Sequence, residues 1–233
     1  MFLKKWKTFL LVLLLASVAA AESEKEKAIK RLQDGAEVLQ AMANAPDKGI
    51  PEEVLAHAKC IAVIPHEIKG GFVVGAVHGR GVATCRTKSG WSAPAFFSIS
   101  GGSWGAQIGI EGIDNVLVFM NERGAEKLLS SKFQIGGDLS AAAGPIGRHA
   151  SAGVDWKMET EILSYSRAKG IFAGATLNGA VVTPDADAME ALYGPGVTTR
   201  AVLSGTVPPP PVAEEFLRTL SRVAKKAAAD SKV

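Results

Sequence analysis

The sequence predicts an α+β fold: a curved antiparallel, glycine-rich sheet or barrel-like core, flanked by N- and C-terminal helices. Glycine recurs every fourth residue in two runs, at Gly71, Gly75 and Gly79 and at Gly101, Gly105 and Gly109. Positions four apart lie on one face of a strand, so each run would leave a face without bulk, which permits sharp curvature or close backbone approach. Amphipathic helix patterns occupy both ends of the chain, and no regular alternation of strands and helices lies between them.

The same glycine spacing on a helix would form the small-residue face through which transmembrane helices pair. A membrane span needs about 20 mostly apolar residues. The first run instead meets His78 and Arg80, and the second is interrupted by Gln107, Glu111 and Asp114. These polar residues favour strands.

Residues 1–21 have the pattern of a secretory signal peptide. Lys4, Lys5 and Lys7 give a positive start, an apolar run follows at 9–16, and alanines at 19–21 provide a cleavage site before Glu22. The alternative is an uncleaved membrane anchor, for which the apolar run is short. We therefore expect an exported protein. In a Gram-negative bacterium it would be periplasmic and could lie peripheral to a membrane.

The charge of the exported chain argues against nucleic-acid binding. The whole sequence has 26 Lys and Arg against 23 Asp and Glu, and loss of the three leader lysines leaves 23 of each. A neutral protein lacks the basic field that neutralises phosphates along a nucleic acid. Length and composition predict one domain at 22–207, followed by a proline spacer and a C-terminal helix at 208–233.

The N-terminal part of this domain predicts two helices, at 22–45 and 52–58, and then a short buried strand at 60–64 that ends at Pro65. Cys60 and Cys85 are the only cysteines, and both have apolar, strand-like neighbours. In an exported protein this arrangement predicts a disulfide. Two free thiols or a metal pair are the alternatives, but no CxxC motif occurs and the histidines lack ligand spacing, so no metal or other cofactor is expected.

The segment at 101–105 formally matches the G-x-S-x-G motif of hydrolases, with Ser103 as the nucleophile. Asp138 and His149 follow in the chain order of a catalytic triad. That motif needs a helix directly after the serine, whereas 106–111 alternates like a strand. A glycine-rich bend between strands is the favoured interpretation, and no enzyme is expected.

Further strands are predicted at 96–100, 106–110 and 115–120, and Asn121 is expected to cap a helix that ends near residue 131. A strand at 133–135 precedes a glycine- and alanine-rich segment at 136–153. Arg148 in this segment could bind a phosphate beside exposed backbone N–H groups, or it could pair with Asp138 or Asp155. Strands at 161–166 and 171–177 follow, and Asn178-Gly179 predicts a hairpin turn.

Four blocks of the sequence together resemble the SYLF-domain family. They are KGGFVVGAVHGRGVATCR, GWSAPAFFSISGGSWGAQIG, GGDLSAAAGPIGR and ILSYSRAKGIFAG, within a similar region that extends over about 28–193. The resemblance implies phospholipid head-group binding, with phosphoinositides in eukaryotic members and actin in fungal ones, and it does not imply an enzyme. An exported protein would be separated from any cytoskeleton, so actin is not an expected partner.

The C-terminal segment predicts a stiff proline spacer at 208–211, which could instead recruit a partner groove. The helix expected at 212–229 has an apolar stripe beside a basic face, so it could attach to a membrane or dock on the domain.

The leading hypothesis is a non-catalytic phospholipid-binding protein of the bacterial envelope, which combines an apolar patch with basic residues for head-group phosphates. The expected basic residues are Arg148, Lys169, Arg218, Arg222, Lys225 and Lys226. The alternatives are a structural protein that pairs with a partner or with itself through its glycine-rich faces, and a serine hydrolase acting through Ser103.

Overall fold

The computed structural model describes residues 23–43, 49–71, 74–104, 109–130, 132–146, 160–168, 171–174 and 177–230. The predicted signal peptide lies outside these residues. The helices are α1 (Glu24–Ala43), α2 (Glu52–His57), α3 (Glu122–Leu129), α4 (Ala186–Tyr193), α5 (Thr199–Leu203) and α6 (Glu214–Asp230). A 3-10 turn at Pro211–Ala213 directly precedes α6.

The strands are β1 (Cys60–Gly71), β2 (Val74–Thr87), β3 (Gly90–Trp91), β4 (Ala95–Trp104), β5 (Gly109–Phe119), β6 (Phe133–Gln134), β7 (Ala141–Ala143), β8 (Ile162–Ala168), β9 (Ile171–Gly174) and β10 (Val181–Pro184). They join in the order β6-β10-β4-β2-β1-β5-β8-β7, with β3 paired to β2 and β9 paired to β8. The sheet curls into a half-barrel. The predicted α+β class is confirmed, although the sheet is mixed because β7 runs parallel to β8.

Helices cover both faces of the sheet. A Cβ at Gly35 of α1 would lie 3.2 Å from both Val82 of β2 and Phe216 of α6, so these three elements pack closely. On the other side, Ala83 lines a small apolar cavity with Leu128 of α3 and Leu203 of α5. Neighbouring residues of a strand point to opposite faces, so the sheet lies between the α1–α6 layer and the α3–α5 layer.

Pro65 does not end β1, and the prediction that the strand stops there was wrong. Val63 pairs with Val82 and Ile68 with His78, so β1 has one more residue than β2 between these pairs. This extra residue makes a β-bulge, in which a residue without an N–H donor is tolerated. His66 adopts a positive φ of 51° at this point, and pairing resumes beyond it.

Three glycines of the sheet make room for other parts of the same chain. A Cβ at Gly81 would lie 2.3 Å from Cζ of Phe97, and one at Gly79 would lie 2.7 Å from Cγ2 of Ile64. A Cβ at Gly101 would lie 2.8 Å from the Cα of Ala180. The space beside these three glycines is therefore already filled, so these positions offer no surface for self-pairing.

The predicted disulfide between Cys60 and Cys85 is present. The two cysteines are directly opposite each other in the antiparallel pair of β1 and β2, with their Cα atoms 3.9 Å apart. Both side chains belong to the buried core. The bond therefore joins the first two long strands inside the domain.

Two turn predictions had different outcomes. Asn121 caps α3 as expected, since its side-chain oxygen accepts from the N–H of Gly124 over 2.9 Å. Asn178 and Gly179 do form a turn, but β9 pairs with β8 while β10 pairs with β4 and β6. The turn therefore does not close the hairpin that we predicted. Its Gly179 N–H instead donates to the carbonyl of Ile135, which ties the turn to the end of β6.

Candidate functional site

The last helix docks on the domain through its apolar stripe. Phe216, Leu220 and Val223 are between 0 and 6 % exposed, and α6 packs against α1 and α2. The alternative in which this stripe enters a membrane is therefore not the arrangement seen. No helix within the described ranges has both the length and the apolar composition of a membrane span.

Docking leaves the basic side of α6 at the surface. Arg218 and Arg222 are exposed, one helical turn apart, and Arg222 donates to the side-chain oxygen of Gln40 on α1 over 3.2 Å. Lys225 and Lys226 continue the same helix, but their side chains lie outside the described part of the structure. Arg148 and Lys169, the two basic residues expected on the core, also lie outside the described residues. Two of the six predicted site residues are thus placed with their side chains.

Arg218 and Arg222 differ from the other described arginines. Arg123 pairs with Glu161 over 2.9 Å, and Arg200 pairs with Glu126 over 2.5 Å. The remaining ones have acidic or carbonyl partners too: Arg31 with Asp185, Arg80 with Glu24, Arg167 with Asp114, and Arg86 with the carbonyls of Leu55 and Ala58. Among the arginines that the structure describes, Arg218 and Arg222 alone have no carboxylate or backbone carbonyl as a partner. Their charge is therefore available to an external anion.

An open groove of about 810 Å³ runs between α1 and α6 beside these arginines. Small side chains and acidic, basic and amide groups line it. The small residues are Ala36, Ala41 and Thr219, and the larger polar residues are Gln33, Glu37, Gln40, Glu215, Arg218 and Arg222. Sequence reasoning missed the acidic and amide groups. The spacing of Gln33, Glu37 and Gln40 on one side of α1 was a signal for them.

The triad suggested by Ser103 is not assembled in the described residues. Ser103 lies within β4 and pairs with Gly75, so the segment up to Trp104 is strand and neither a bend nor a nucleophile turn. Asp138 has another role: its Oδ2 accepts from the Gln134 N–H over 2.8 Å, and Lys127 lies 3.6 Å from its Oδ1. The hydrogen bond and then the nearby cation lower the pKa of Asp138. His149 lies outside the described residues.

Two arginines have structural roles, Arg31 in the core and Arg86 at the surface, and sequence reasoning missed both. Arg31 pairs with Asp185 over 3.0 Å, and its guanidinium lies 5.2 Å from the ring centre of Phe96. Arg86 donates to the carbonyls of Ala58 and Leu55, which ends α2, and stacks 4.5 Å from the ring centre of Trp91. Arg31 looked like one more cation on a solvated helix because its acidic partner is far away in sequence. Across the described ranges, no group of three metal-ligating side chains occurs.

The fold and this helix surface define a class of protein: an α+β domain whose terminal helices pack together and expose a polar, arginine-bearing side. The family model described as "Ysc84: Las17-binding protein actin regulator" matches residues 100–223. The chain therefore belongs to the Ysc84 family, the SYLF-domain family, as its four sequence blocks suggested.

Relatives in animals and yeast are similar over most of this chain. The human SH3 domain-containing YSC84-like protein 1 is 33 % identical over 207 residues, which are 88 % of this chain and 60 % of that protein. LAS seventeen-binding protein 3 of Saccharomyces cerevisiae is 34 % identical over 204 residues, 85 % of this chain and 44 % of the relative. The protein YSC84 from the same yeast is 34 % identical over 203 residues, with 85 % and 43 % covered. The chain thus spans 60 % or less of the length of these relatives.

Proposed function

We propose that this protein is a non-catalytic, peripheral membrane protein that binds phospholipid head groups electrostatically through α6. The observation that carries the proposal is that Arg218 and Arg222 are exposed and have no carboxylate partner within the described part of the chain. An unpaired guanidinium is a strong donor to phosphate oxygens, and two of them one turn apart can engage neighbouring head groups. We further propose an exported protein of the bacterial envelope, for which the leader pattern at 1–21 is the support.

The proposed contact is polar because α6 uses its apolar stripe to dock on α1 and α2. Each Lys or Arg near an anionic surface contributes about 1 kcal/mol at physiological ionic strength. Arg218, Arg222, Lys225 and Lys226 could together give reversible attachment on this scale. Arg148 and Lys169 belong to the proposal as head-group ligands on the core, and they are tested separately.

Vesicle flotation tests this function. The protein is purified after export from its expression host, so that its N-terminus can be read by mass spectrometry, and is floated with anionic or zwitterionic vesicles. Removing two cations at about 1 kcal/mol each lowers binding to anionic vesicles roughly 30-fold, so this is the loss expected for Arg218→Gln/Arg222→Gln. The matched control is Lys88→Gln/Lys132→Gln, which removes the same charge from exposed positions outside α6.

The outcomes separate the parts of the proposal. Equal losses in the α6 variant and its control would mean that net charge, and not α6, attracts the membrane. A loss in Arg148→Gln/Lys169→Gln alone would move the site to the core. Failure to float with any vesicle would refute lipid binding.

A protein partner is the second candidate, favoured by the names of the relatives. The family description and the yeast protein's name both refer to Las17 binding, and the description also refers to actin regulation. The family match extends to residue 223, so it includes most of α6. Actin co-sedimentation with the α6 variant and its control tests one such partner. Mass measured against protein concentration tests self-association, and ester turnover by Ser103→Ala tests the hydrolase alternative.

A further inference from the structure

The groove between α1 and α6 holds opposite charges that do not neutralise each other. Glu37 on α1 and Glu215 on α6 line the same groove as Arg218 and Arg222. Elsewhere in the described ranges, partly exposed acids and bases at a similar helix spacing do pair, as Lys27 does with Glu24 over 2.8 Å. No ion pair joins the groove's carboxylates to its guanidiniums within the part of the chain that the structure describes.

Because the carboxylates and guanidiniums of the groove do not pair with each other, one ligand can bind both kinds of charge at once. A lone anion can bind the two arginines, but the two nearby carboxylates weaken that binding. A lone cation would face the reverse problem. A ligand that carries a phosphate and an ammonium group on a short linker can place each group against the opposite charge of the groove.

We infer that the groove between α1 and α6 binds the zwitterionic phosphoethanolamine head group of a membrane lipid. Arg218 and Arg222 receive the phosphate, and Glu37 or Glu215 receives the ammonium. The inference rests on the proposed function, because it gives that function a head-group preference. Ala36 and Thr219 also line the groove, and their small side chains leave room in it for this group.

The chemistry predicts discrimination between ethanolamine and choline. A primary ammonium donates hydrogen bonds to a carboxylate, and such charge-assisted bonds are short and strong. The trimethylammonium of choline carries the same charge but has no N–H donor, and it is bulkier. A site built on carboxylates should therefore prefer ethanolamine, whereas a simple basic patch should not distinguish the two.

The test is an NMR titration of the exported protein with soluble glycerophosphoethanolamine and, in parallel, glycerophosphocholine. We expect shifts of the α1 and α6 amides, with ethanolamine bound at least about tenfold more tightly, the change that one charge-assisted hydrogen bond can supply. Flotation with phosphatidylethanolamine or phosphatidylcholine vesicles then asks whether the head group is also recognised in a bilayer. Equal affinity for the two soluble probes, or no binding of either, would overturn the inference.

Variants separate the two charged halves of the site. Glu37→Gln/Glu215→Gln should reduce the affinity for glycerophosphoethanolamine to that for the choline probe, whereas Arg218→Gln/Arg222→Gln should abolish binding of both. The control Glu190→Gln removes an exposed carboxylate of α4 outside the groove and should change neither affinity. Thermal melts check that each variant is folded. If preference persists in the Glu37→Gln/Glu215→Gln variant, the ammonium assignment is wrong.

The two proposals fail in distinguishable ways. Flotation with anionic vesicles that depends on Arg218 and Arg222, without any preference for ethanolamine, refutes the groove inference and leaves the proposed function in place. No flotation with any vesicle, together with no binding of either soluble probe, refutes both. Binding of the soluble ethanolamine probe without flotation would show a site for a free phosphoethanolamine ester and refute its assignment to a membrane lipid.

Discussion

Replacement of Gly81 by alanine tests whether the glycine-rich sheet is built to admit side chains from its own neighbouring strands. Gly81 of β2 lies directly opposite Phe97 of β4, and the Phe97 ring lies over it. A Cβ at Gly81 would be 2.3, 2.7 and 2.8 Å from three ring atoms of Phe97. Phe97 is 4 % exposed, so the ring cannot swing into solvent without leaving the core.

The magnitude follows from two opposing effects. Alanine in place of glycine within a strand stabilises by roughly 0.5–1 kcal/mol because the unfolded chain loses conformational freedom. Overpacking a core by one methyl group typically destabilises by about 1–3 kcal/mol. Gly112 of β5 is the matched control, since it has an ordinary φ and a Cβ there would meet nothing within 4 Å. We expect Gly81→Ala to destabilise by about 1–2 kcal/mol and Gly112→Ala to be neutral or stabilising.

Urea denaturation of both variants, followed by circular dichroism, measures these free energies of unfolding. Phe97→Leu provides a further check, because a smaller side chain opposite residue 81 should reduce the cost of Gly81→Ala in a double-mutant cycle. Equal stability of Gly81→Ala and Gly112→Ala, or a cost at Gly81 that does not depend on residue 97, would refute the packing argument.

Three further predictions concern stability. Replacing Cys60 and Cys85 by alanine should lower the free energy of unfolding by roughly 3.5 kcal/mol, because the disulfide closes a loop of 25 residues. Urea denaturation with and without reductant measures this loss. A loss below about 1 kcal/mol would contradict the chain-entropy account. Arg86→Ala should destabilise by about 2 kcal/mol through two lost carbonyl hydrogen bonds and the lost Trp91 contact, which urea denaturation measures. Lys88→Ala removes a cation from an exposed position and is the control that should change little. Asp138 has a lowered pKa, so its stabilisation is complete above the usual aspartate pKa of about 3.9 and is lost as pH falls through the lower folded value. Unfolding curves between neutral and acidic pH should therefore show a smaller acid loss for Asp138→Asn, and an identical loss would count against this assignment.

Features set by neighbouring residues could be predicted from the sequence. Asn121 was identified as a helix cap because its oxygen reaches an N–H three residues away. The disulfide could be predicted from the two cysteines in strand-like, apolar surroundings. The glycine spacing predicted strands because polar residues interrupt both runs. Within the described residues, the glycines of these runs lie in β1, β2, β4 and β5.

Features set by distant residues could not be predicted. Pro65 looks like the end of a strand, but β2 and β5 pair with β1 on both sides of the bulge and hold it in register. Asn178-Gly179 has hairpin chemistry, yet the strand that receives β10 is β4, far earlier in the chain. Arg31 and Asp185 are 154 residues apart, so no local sequence pattern predicts their buried ion pair.

The environment of the last helix, at the candidate site, is also set by distant residues and could not be predicted from its sequence. Its sequence is that of a basic amphipathic helix, which does not say whether a membrane or the protein covers the apolar stripe. In the structure the protein covers this stripe. Gly35 of α1 has no side chain, so the Phe216 ring of α6 can pack closely against α1. What remains outside is polar and charged, so the membrane binding proposed for Arg218 and Arg222 would be electrostatic.

Salt should therefore release the protein from vesicles. The screening length falls from about 10 Å at 0.1 M salt to about 3 Å at 1 M, which removes most of the attraction between exposed charges and an anionic surface. Flotation should disappear between these concentrations, while the melting temperature, set mainly by the buried core, should change little. Flotation that survives 1 M salt would mean that α6 undocks and inserts its stripe. Cross-linking α1 to α6 through cysteines at Gly35 and Phe216 would test this, since a helix held in place could not insert.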